Sequence, residues 1–489
     1  MTVYTRYDFL KKLAEQSKLV VLLEQLGLKG RLGEAIRLLL YAKERERYRL
    51  IRQNFEGCRE IFGSIAKGAP DGDPGKLVWM IESMHTVWGV KLEGTLSLAV
   101  RLAGYTPVGV HTGRFRWIER FHGLFLIERA LYFDMFHGAV NVVSSKEIGE
   151  FVCSRPAMSD LMELTYHNID IGRIALSNYI YQNKFAKLEL QQPETMAAIH
   201  AELVRVQRNI LAAEKMLDSC RPVTALVLEK GISPTAEIFG VCIANDIPVV
   251  QYVGSQNMND YILKRFTLQN RHQHPFSLDG STWAKVKGMS WGKDQESKLM
   301  TELADSYKKG TWFNRRFLHQ GKAIKSQEEV RQQLGLDSSK QTAVIFSHIL
   351  WDATFFYGEG LFDDYETWLI ETVRAACKNP QLNWVVKLHP DLIWKLKYEG
   401  YSGELRDAIA IRSEIGSLPA HVKLVPPETD ISTFSFFAIT DVCITVRGTI
   451  GIEMACHGIP VLTAGTGRYS DLGFTIDSKT REEYLDHLA

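Results

Sequence analysis

Short apolar runs rich in β-branched residues alternate with helical segments along most of this chain, in two separate series. Each run is too short for a helix and is bounded by turn-forming residues, which is typical of a buried strand. The first series of runs covers 77–81, 106–110, 223–228 and 247–253, and the second covers 343–346, 384–388, 422–425, 442–446 and 459–463. Strands that alternate with helices predict parallel sheets covered on both faces, so we expect an α/β fold with two sheets.

The length of 489 residues suits two or three domains, at about 150 residues per domain. We predict a helical N-terminal extension and linker over 1–75, a first Rossmann-like domain over 76–325 and a second over 326–489. A formal net charge of +1 argues against a surface made for nucleic acid. The seven cysteines are scattered and contain no C-x-x-C pair, which favours a reducing compartment over a disulfide framework or a zinc site.

Residues 1–66 have helical periodicity and many basic side chains. A basic amphipathic segment can lie on an anionic membrane, which predicts peripheral membrane contact, although a solvated helix face explains the same pattern. The first residues, MTVYTRYDFLKK, lack the apolar core of a secretory signal, and no run approaches the roughly 20 apolar residues of a membrane span. We expect a cytoplasmic protein, with contact at the inner face of the membrane left open.

The stretch 438–458 combines a strand, a turn and a helix that suit a nucleotide sugar. Gly448 and Gly451 allow a sharp turn and close approach of a ligand, and the helix that follows offers unpaired N–H groups to a phosphate. Arg447 adds a cation with forked donors, and Glu453 lies one turn inside the helix, where a carboxylate can accept ribose hydroxyls. An ordinary steric turn would have the same local pattern, so the motif is weak on its own.

Three further strand ends in the second series carry polar residues, and in open parallel sheets ligands bind outside the carboxyl ends of the strands. With the Arg447 turn, they make four strand ends. From these four we select His348, Asp352, Lys387, His389, Ser432, Thr433, Arg447, Gly448, Thr449, Gly451 and Glu453 as site residues. Arg447 and Lys387 can hold a diphosphate and neutralise charge on a leaving nucleotide. His348 and His389 are predicted catalytic residues, because a histidine can exchange a proton near neutral pH. Backbone groups near Ser432 and Thr433 can contact the base.

With these motifs, the second domain resembles bacterial capsule and surface polysaccharide biosynthesis proteins of the two-Rossmann GT-B fold, including the Kdo transferases of capsule synthesis. It is more distantly similar to the UDP-N-acetylglucosamine 2-epimerases. The residues that carry the likeness are Lys387-Leu-His389-Pro390, Thr440-Asp441, Arg447 to Glu453, Gly458-Ile-Pro460-Val461, Gly465 to Tyr469 and Leu472-Gly473. The resemblance covers roughly 340–489 and implies a donor site in the second domain, an acceptor site in the first, and no obligatory metal or other cofactor.

The first domain is then expected to supply a catalytic carboxylate or base. Its candidates at strand ends and in the following turns are Glu82, His85, Lys91, Glu93, His111 and Glu229. We rank Glu229 first as a catalytic residue, because it directly follows the predicted strand 223–228.

The leading hypothesis is a glycosyltransferase that moves a sugar from a nucleotide-sugar donor to a surface glycan or lipid-linked glycan of the capsule, O-antigen or lipopolysaccharide type. A UDP-sugar 2-epimerase is the first alternative, and it would act on the donor without an acceptor. A polyol-phosphate transferase of similar architecture and a non-catalytic subunit that binds a glycan or nucleotide sugar stay open.

Overall fold

A computed structural model describes most of the chain beyond its first 41 residues. The described ranges are 42–82, 85–137, 145–184, 187–255, 260–311, 321–352, 354–398 and 404–489. Most of the predicted N-terminal extension therefore lies outside the described residues.

The described residues form two six-stranded sheets, and both sheets have the same strand order. The first sheet is ordered β3-β2-β1-β4-β5-β6 and the second β12-β11-β10-β7-β8-β9. The strands are β1 Asp73–Ile81, β2 Tyr105–His111, β3 Arg129–Tyr132, β4 Thr224–Val227, β5 Val249–Gly254, β6 Tyr261–Phe266, β7 Thr342–Phe346, β8 Asn383–Lys387, β9 Val422–Val425, β10 Val442–Thr445, β11 Val461–Thr463 and β12 Ile476–Asp477. Numbered from its own first strand, each sheet has the order 3-2-1-4-5-6, which is that of the Rossmann fold. The predicted α/β fold with two Rossmann-like domains is confirmed.

Helices connect the strands and cover the sheets. They are α1 Ala42–Gly68, α2 Val87–Leu102, α3 Arg116–Leu124, α4 Phe133–His137, α5 Ser145–Cys153, α6 Met158–Glu163, α7 Ile171–Asn183, α8 Pro193–Ser219, α9 Thr235–Ala244, α10 Gly280–Lys287, α11 Lys293–Lys309, α12 Gln327–Leu334, α13 Tyr365–Lys378, α14 Leu392–Tyr398, α15 Arg406–Glu414, α16 Thr449–Cys456 and α17 Arg481–Asp486. Within the described ranges, short 3₁₀ helices cover Leu268–Asn270 and Thr433–Ala438. Among the helices described, none has the length and apolar character to cross a bilayer.

The chain divides into two compact units. The first contains 1–141, 208–230 and 241–250, and the second contains 142–207, 231–240 and 251–489. In the first, α1 packs on α3, with the rings of Phe55 and Phe121 edge to face at 5.3 Å. In the second, the strands β7, β8 and β10 bury their apolar residues against Phe436, Met454 and their neighbours. The domain boundaries predicted from the sequence stay a prediction.

Several predicted element ends need correction. The turn-rich stretch 67–75 is partly strand, because β1 already begins at Asp73. Helix α9 begins at Thr235, and the Ser233 hydroxyl before it bonds to Arg205 and Glu237. The strand β11 is not the last one, because β12 pairs beside it.

Candidate functional site

The four strand ends that we selected in the second series lie together at one edge of the second sheet. Ser347, just after β7, donates its N–H to the carbonyl of Lys387, the last residue of β8, at 3.0 Å. The His389 N–H donates in turn to the Ser347 hydroxyl at 3.0 Å. The β7 and β8 motifs are thus directly bonded to each other, as parallel strand order requires.

His348 connects β7 to the turn after β10. Its Nε2 accepts a hydrogen bond from the Val446 N–H at 3.2 Å and lies 3.1 Å from the Thr445 hydroxyl. The ring stacks on Tyr365, with centroids 4.6 Å apart. Burial, with the charges of Arg447 and Arg468, lowers the pKa of His348 to about 3. His348 is therefore neutral near pH 7 and holds the Val446–Arg447 backbone in place; its predicted catalytic role stays a prediction.

Arg447 is 4% exposed and only part of its guanidinium is bonded. Nη1 donates to the Gly358 carbonyl at 3.0 Å. Nε and Nη2 are both buried, and neither has a hydrogen-bond partner among the described residues. Nε and Nη2 together form one edge of the guanidinium, which is the edge that matches a carboxylate or phosphate with two parallel bonds. A buried donor without a partner is costly, so this edge indicates an anionic ligand.

Two glycine-containing loops fix the carbonyl that Arg447 uses. Gly358 has a φ of +121°, and a Cβ there would lie 2.3 Å from the Thr466 carbonyl oxygen, so only glycine fits. The Glu359 N–H donates to the Thr466 hydroxyl at 2.7 Å, and the Thr466 N–H returns a bond to the Glu359 carbonyl at 2.8 Å. This exchange ties the 358–361 loop to the 464–466 loop beside Arg447.

Arg447 lines a cavity of about 280 Å³ within the second unit, near the lower end of the usual size of small-molecule sites. The aromatic rings of Tyr365 and Trp368 and the carboxylates of Glu163 and Asp363 also line it. A second arginine at the cavity, Arg173, is neutralised by a 2.9 Å ion pair with Glu359. The cavity thus presents one guanidinium edge without a partner, together with aromatic rings and carboxylates that can accept hydrogen bonds from hydroxyl groups.

The glycines of the turn and of α16 have different tasks. Gly448 is the N-cap residue of α16, and its carbonyl accepts a bond from the Tyr469 hydroxyl at 2.7 Å. A Cβ on Gly451 would lie 2.1 Å from that hydroxyl oxygen. Gly451 therefore makes room for Tyr469 rather than for a ligand, while Gly448 and Thr449 open the helix beside Arg447.

Glu453 is buried on α16 and accepts a hydrogen bond from the Tyr307 hydroxyl of α11. Burial, reinforced by the Glu453 carboxylate, raises the pKa of Tyr307 well above its ordinary value, so the phenol keeps its proton and donates. A ribose at Glu453 has to share or replace this bond. The predicted ribose contact stays a prediction.

The remaining predicted residues of this sheet lie along the same edge. Lys387 is buried with its Nζ 5.6 Å from the Phe436 ring centre, and burial, with the charge of Lys322, lowers its pKa to about 7. The Ser432 hydroxyl accepts the Phe434 N–H and caps the 3₁₀ helix that begins at Thr433. Asp352 pairs with Lys395 at 3.0 Å. His389 Nδ1 accepts the Asp391 N–H at 3.2 Å.

Sequence reasoning did not select Arg468 and His274 as site residues. Nη2 of Arg468 lies 3.3 Å from Nε2 of His274, and the Phe276 N–H donates to Nδ1 of the same ring at 3.0 Å. A neutral imidazole has only one acceptor nitrogen, whereas a donor group faces each of the two ring nitrogens of His274. Arg468 lies in the quoted Gly465–Tyr469 motif, which was a usable signal, whereas no local pattern connects it to His274.

The catalytic candidates of the first unit lie at several places. The structure brings four of them, Glu82, His85, Glu93 and His111, to the ends of β1 and β2 or to the helix α2 that follows. Lys91 also lies on α2, and its Nζ donates to the side-chain oxygen of Asn54 on α1 at 3.1 Å. Glu229 is half-buried, two residues after β4. The ranking of Glu229 stays a prediction.

Similarity to known proteins is found among solved structures. No family model matches the chain, and no curated protein matches it by sequence. Among solved structures, it is similar to the β-Kdo 2,4 transferase KpsC of Thermosulfurimonas dismutans, at 14% identity over 55% of this chain and 79% of that one, with a TM-score of 0.32. It is also similar to a UDP-GlcNAc 2-epimerase from Neisseria meningitidis, at 11% identity over 84% and 90%, with a TM-score of 0.27. The spinosyn rhamnosyltransferase SpnG matches at 11% identity over 84% and 88%, with a TM-score of 0.25.

Proposed function

We propose that this protein is a glycosyltransferase that moves a sugar from a nucleotide-sugar donor to a surface glycan. The observation that carries the proposal is the unfilled Nε–Nη2 edge of the buried Arg447, in a cavity that also holds carboxylates and aromatic rings. The guanidinium edge suits a phosphate, and the carboxylates and rings suit a sugar's hydroxyls and its apolar face. Inorganic phosphate alone would need only the first of these features.

The charge around the turn also suits a departing nucleotide. When the glycosyl–phosphate bond breaks, negative charge grows on the phosphate, and fixed donors aimed at that position lower the barrier. Arg447 and Arg468 are both close enough to His348 to lower its pKa, so two guanidinium groups act on this region. The proposed transfer uses these protein groups and assigns no step to a metal.

Calorimetric titration of the purified chain with UDP-, GDP- and CMP-sugars tests the donor site. We expect binding, and we expect Arg447→Gln to weaken it at least about tenfold, because an oxyanion loses its two-bond partner. Arg447→Lys keeps the positive charge but loses the forked pair of donors, so its affinity is expected to lie between those of the unmodified chain and Arg447→Gln. Arg412→Gln, which removes an exposed arginine paired with Glu404, is the matched control and should bind as the unmodified chain does.

Two results would contradict the proposal. One is the absence of binding to every nucleotide sugar at millimolar concentration, and the other is binding that Arg447→Gln leaves unchanged. Incubation of the donor alone separates the alternatives, since a 2-epimerase converts the donor sugar without an acceptor. Tight binding without any product in the presence of glycan acceptors would favour a non-catalytic binding subunit.

A further inference from the structure

The wall of the cavity at Arg447 holds more negative than positive side chains. Two guanidinium groups and four carboxylates line it, namely those of Arg173, Arg447, Glu163, Glu359, Asp363 and Asp364. All six residues belong to the second unit, so the imbalance is a property of that unit alone. A ligand of this cavity has to match its charge as well as its shape.

Contacts within the wall account for only part of the negative charge. Arg173 pairs with Glu359 at 2.9 Å. The carboxylate of Asp364, which is 4% exposed, accepts a backbone N–H at the start of α13 at 2.6 Å. Glu163, the last residue of α6, and Asp363 are exposed, and neither forms an ion pair with a described residue. Two uncompensated carboxylates therefore line the cavity.

The negative groups of the wall act on one another. Burial raises the pKa of Asp364 in spite of its helix-capping bond, and the negative charge of Asp363 adds to that rise, while the charge of Lys187 opposes it. A neutral group of a ligand would leave this repulsion in place, because only an opposite charge favours the ionised form of a carboxylate electrostatically. A cationic group of a ligand would relieve it.

Arg447 gives the same cavity the opposite feature. It is 4% exposed, and its Nε and Nη2 are buried without a partner among the described residues. The hydroxyl oxygen of Thr354, also in the wall, is likewise buried and has no hydrogen-bond partner in the described part of the chain. Buried polar groups of this kind indicate a ligand that completes their bonding, and for a guanidinium edge this is an oxyanion. The cavity therefore suits a ligand with one anionic and one cationic group.

We propose that the donor carries an amino sugar, whose ammonium group is bound by Glu163 and Asp363 while Arg447 holds the phosphate. The assignment rests on the proposed function and names the class of its donor. An ammonium group donates charge-assisted hydrogen bonds to a carboxylate and compensates its charge. A hydroxyl or an N-acetyl group at the same ring carbon can donate one hydrogen bond but leaves the charge uncompensated, so these groups are discriminated against.

Calorimetric titration of the full-length chain at slightly acidic pH, where the amine is protonated, tests the assignment. The ligands are glucosamine 1-phosphate, glucose 1-phosphate and N-acetylglucosamine 1-phosphate, together with their UDP derivatives, and they differ at one ring carbon. The pair 4-amino-4-deoxyglucose 1-phosphate and glucose 1-phosphate repeats the comparison at another carbon. We expect an amino ligand to bind about fivefold or more tightly than its uncharged counterpart, since partly exposed ion pairs contribute about that much. High salt should reduce this preference.

Glu163→Gln with Asp363→Asn removes both charges and keeps the size of the side chains. We expect this double variant to lose the preference, so that an amino ligand and its uncharged counterpart bind equally. Glu482→Gln with Asp486→Asn is the matched control, because it removes two exposed carboxylates from α17, and it should keep the preference. Arg447→Gln should weaken the binding of every ligand in the set by a similar factor, since all of them carry the phosphate.

The assignment is overturned if no amino ligand binds more tightly than its uncharged counterpart, or if the Glu163→Gln, Asp363→Asn variant keeps the preference. Equal weakening of all ligands in that variant belongs to the second case, and it would mean that the carboxylates bind hydroxyl groups. These outcomes leave binding of the phosphate by Arg447 intact. Failure of the proposed function differs from them, because then no nucleotide sugar binds or Arg447→Gln leaves the binding unchanged.

Discussion

At the residue scale, burial decides how single charged groups respond to pH. Burial raises the pKa of Asp407, in α15, to about 7 from an ordinary value of 3.8. The unfolded chain releases this proton near pH 4, whereas the folded chain keeps it until about pH 7. Stability from this group is therefore complete below about pH 4, falls as the pH rises and is lost above about pH 7, a loss of about 4 kcal/mol.

Asp407→Asn removes this titration. We expect the variant to be more stable than the unmodified chain at pH 8 and to lose that advantage towards pH 4.5. Urea unfolding at both pH values measures the difference between the two proteins. Asp486→Asn, at an exposed position, is the matched control. An Asp407→Asn difference that is the same at both pH values would contradict the expectation.

The same scale shows where sequence reasoning ends. Arg447 was selected because its position at a strand end is visible in the sequence, and the structure does place it at a cavity. Its bond to the Gly358 carbonyl spans 89 positions of the chain, and the bonds of His348 to Val446 and of Tyr307 to Glu453 span 98 and 146 positions. Such pairings follow from sheet order and packing, which local patterns do not contain.

At the element scale, the packing of α16 against Tyr469 sets the shape of the turn at Arg447. Gly451→Ala would place a methyl group 2.1 Å from the Tyr469 hydroxyl oxygen. We expect it to displace Tyr469 and to lower the free energy of unfolding by about 1 to 3 kcal/mol, as overpacking does. Gly57→Ala, in α1, has no atom within 4 Å of the new Cβ and should stabilise slightly. Thermal unfolding compares the two, and equal midpoints would contradict this explanation of Gly451.

The type of most elements was predictable from the sequence, because alternating apolar runs and helices repeat over long stretches. Strand β9 has the predicted bounds, β7 and β10 differ from theirs by one residue at one end, and β8 differs by one residue at both ends. Strand β12 was not predicted, because two residues give no periodic pattern.

At the scale of the whole molecule, the prediction of membrane contact can be tested without removing residues 1–66. Deletion would also remove Ile51, Phe55 and Cys58, which pack in the first unit. Ile61 and Ile65 of α1 are exposed instead and are suitable for substitution. We expect Ile61→Ser with Ile65→Ser to weaken co-sedimentation with anionic vesicles about tenfold, because interfacial binding scales with buried apolar area. Ile476→Ser, at an exposed residue of β12, is the control. Unchanged sedimentation of the double variant would assign any membrane contact to another surface.

The strand order of the second sheet has a consequence for synthesis of the chain on the ribosome. Strand β7 lies in the middle of the sheet and pairs on one side with β8 and on the other with β10. Its early neighbours β8 and β9 emerge soon after it, but Val442, the partner of Ala343, emerges much later. A nascent chain therefore has an open edge on β7 until β10 leaves the exit tunnel. That edge can mispair with another strand during translation, and slower translation of 388–441 should prolong its exposure.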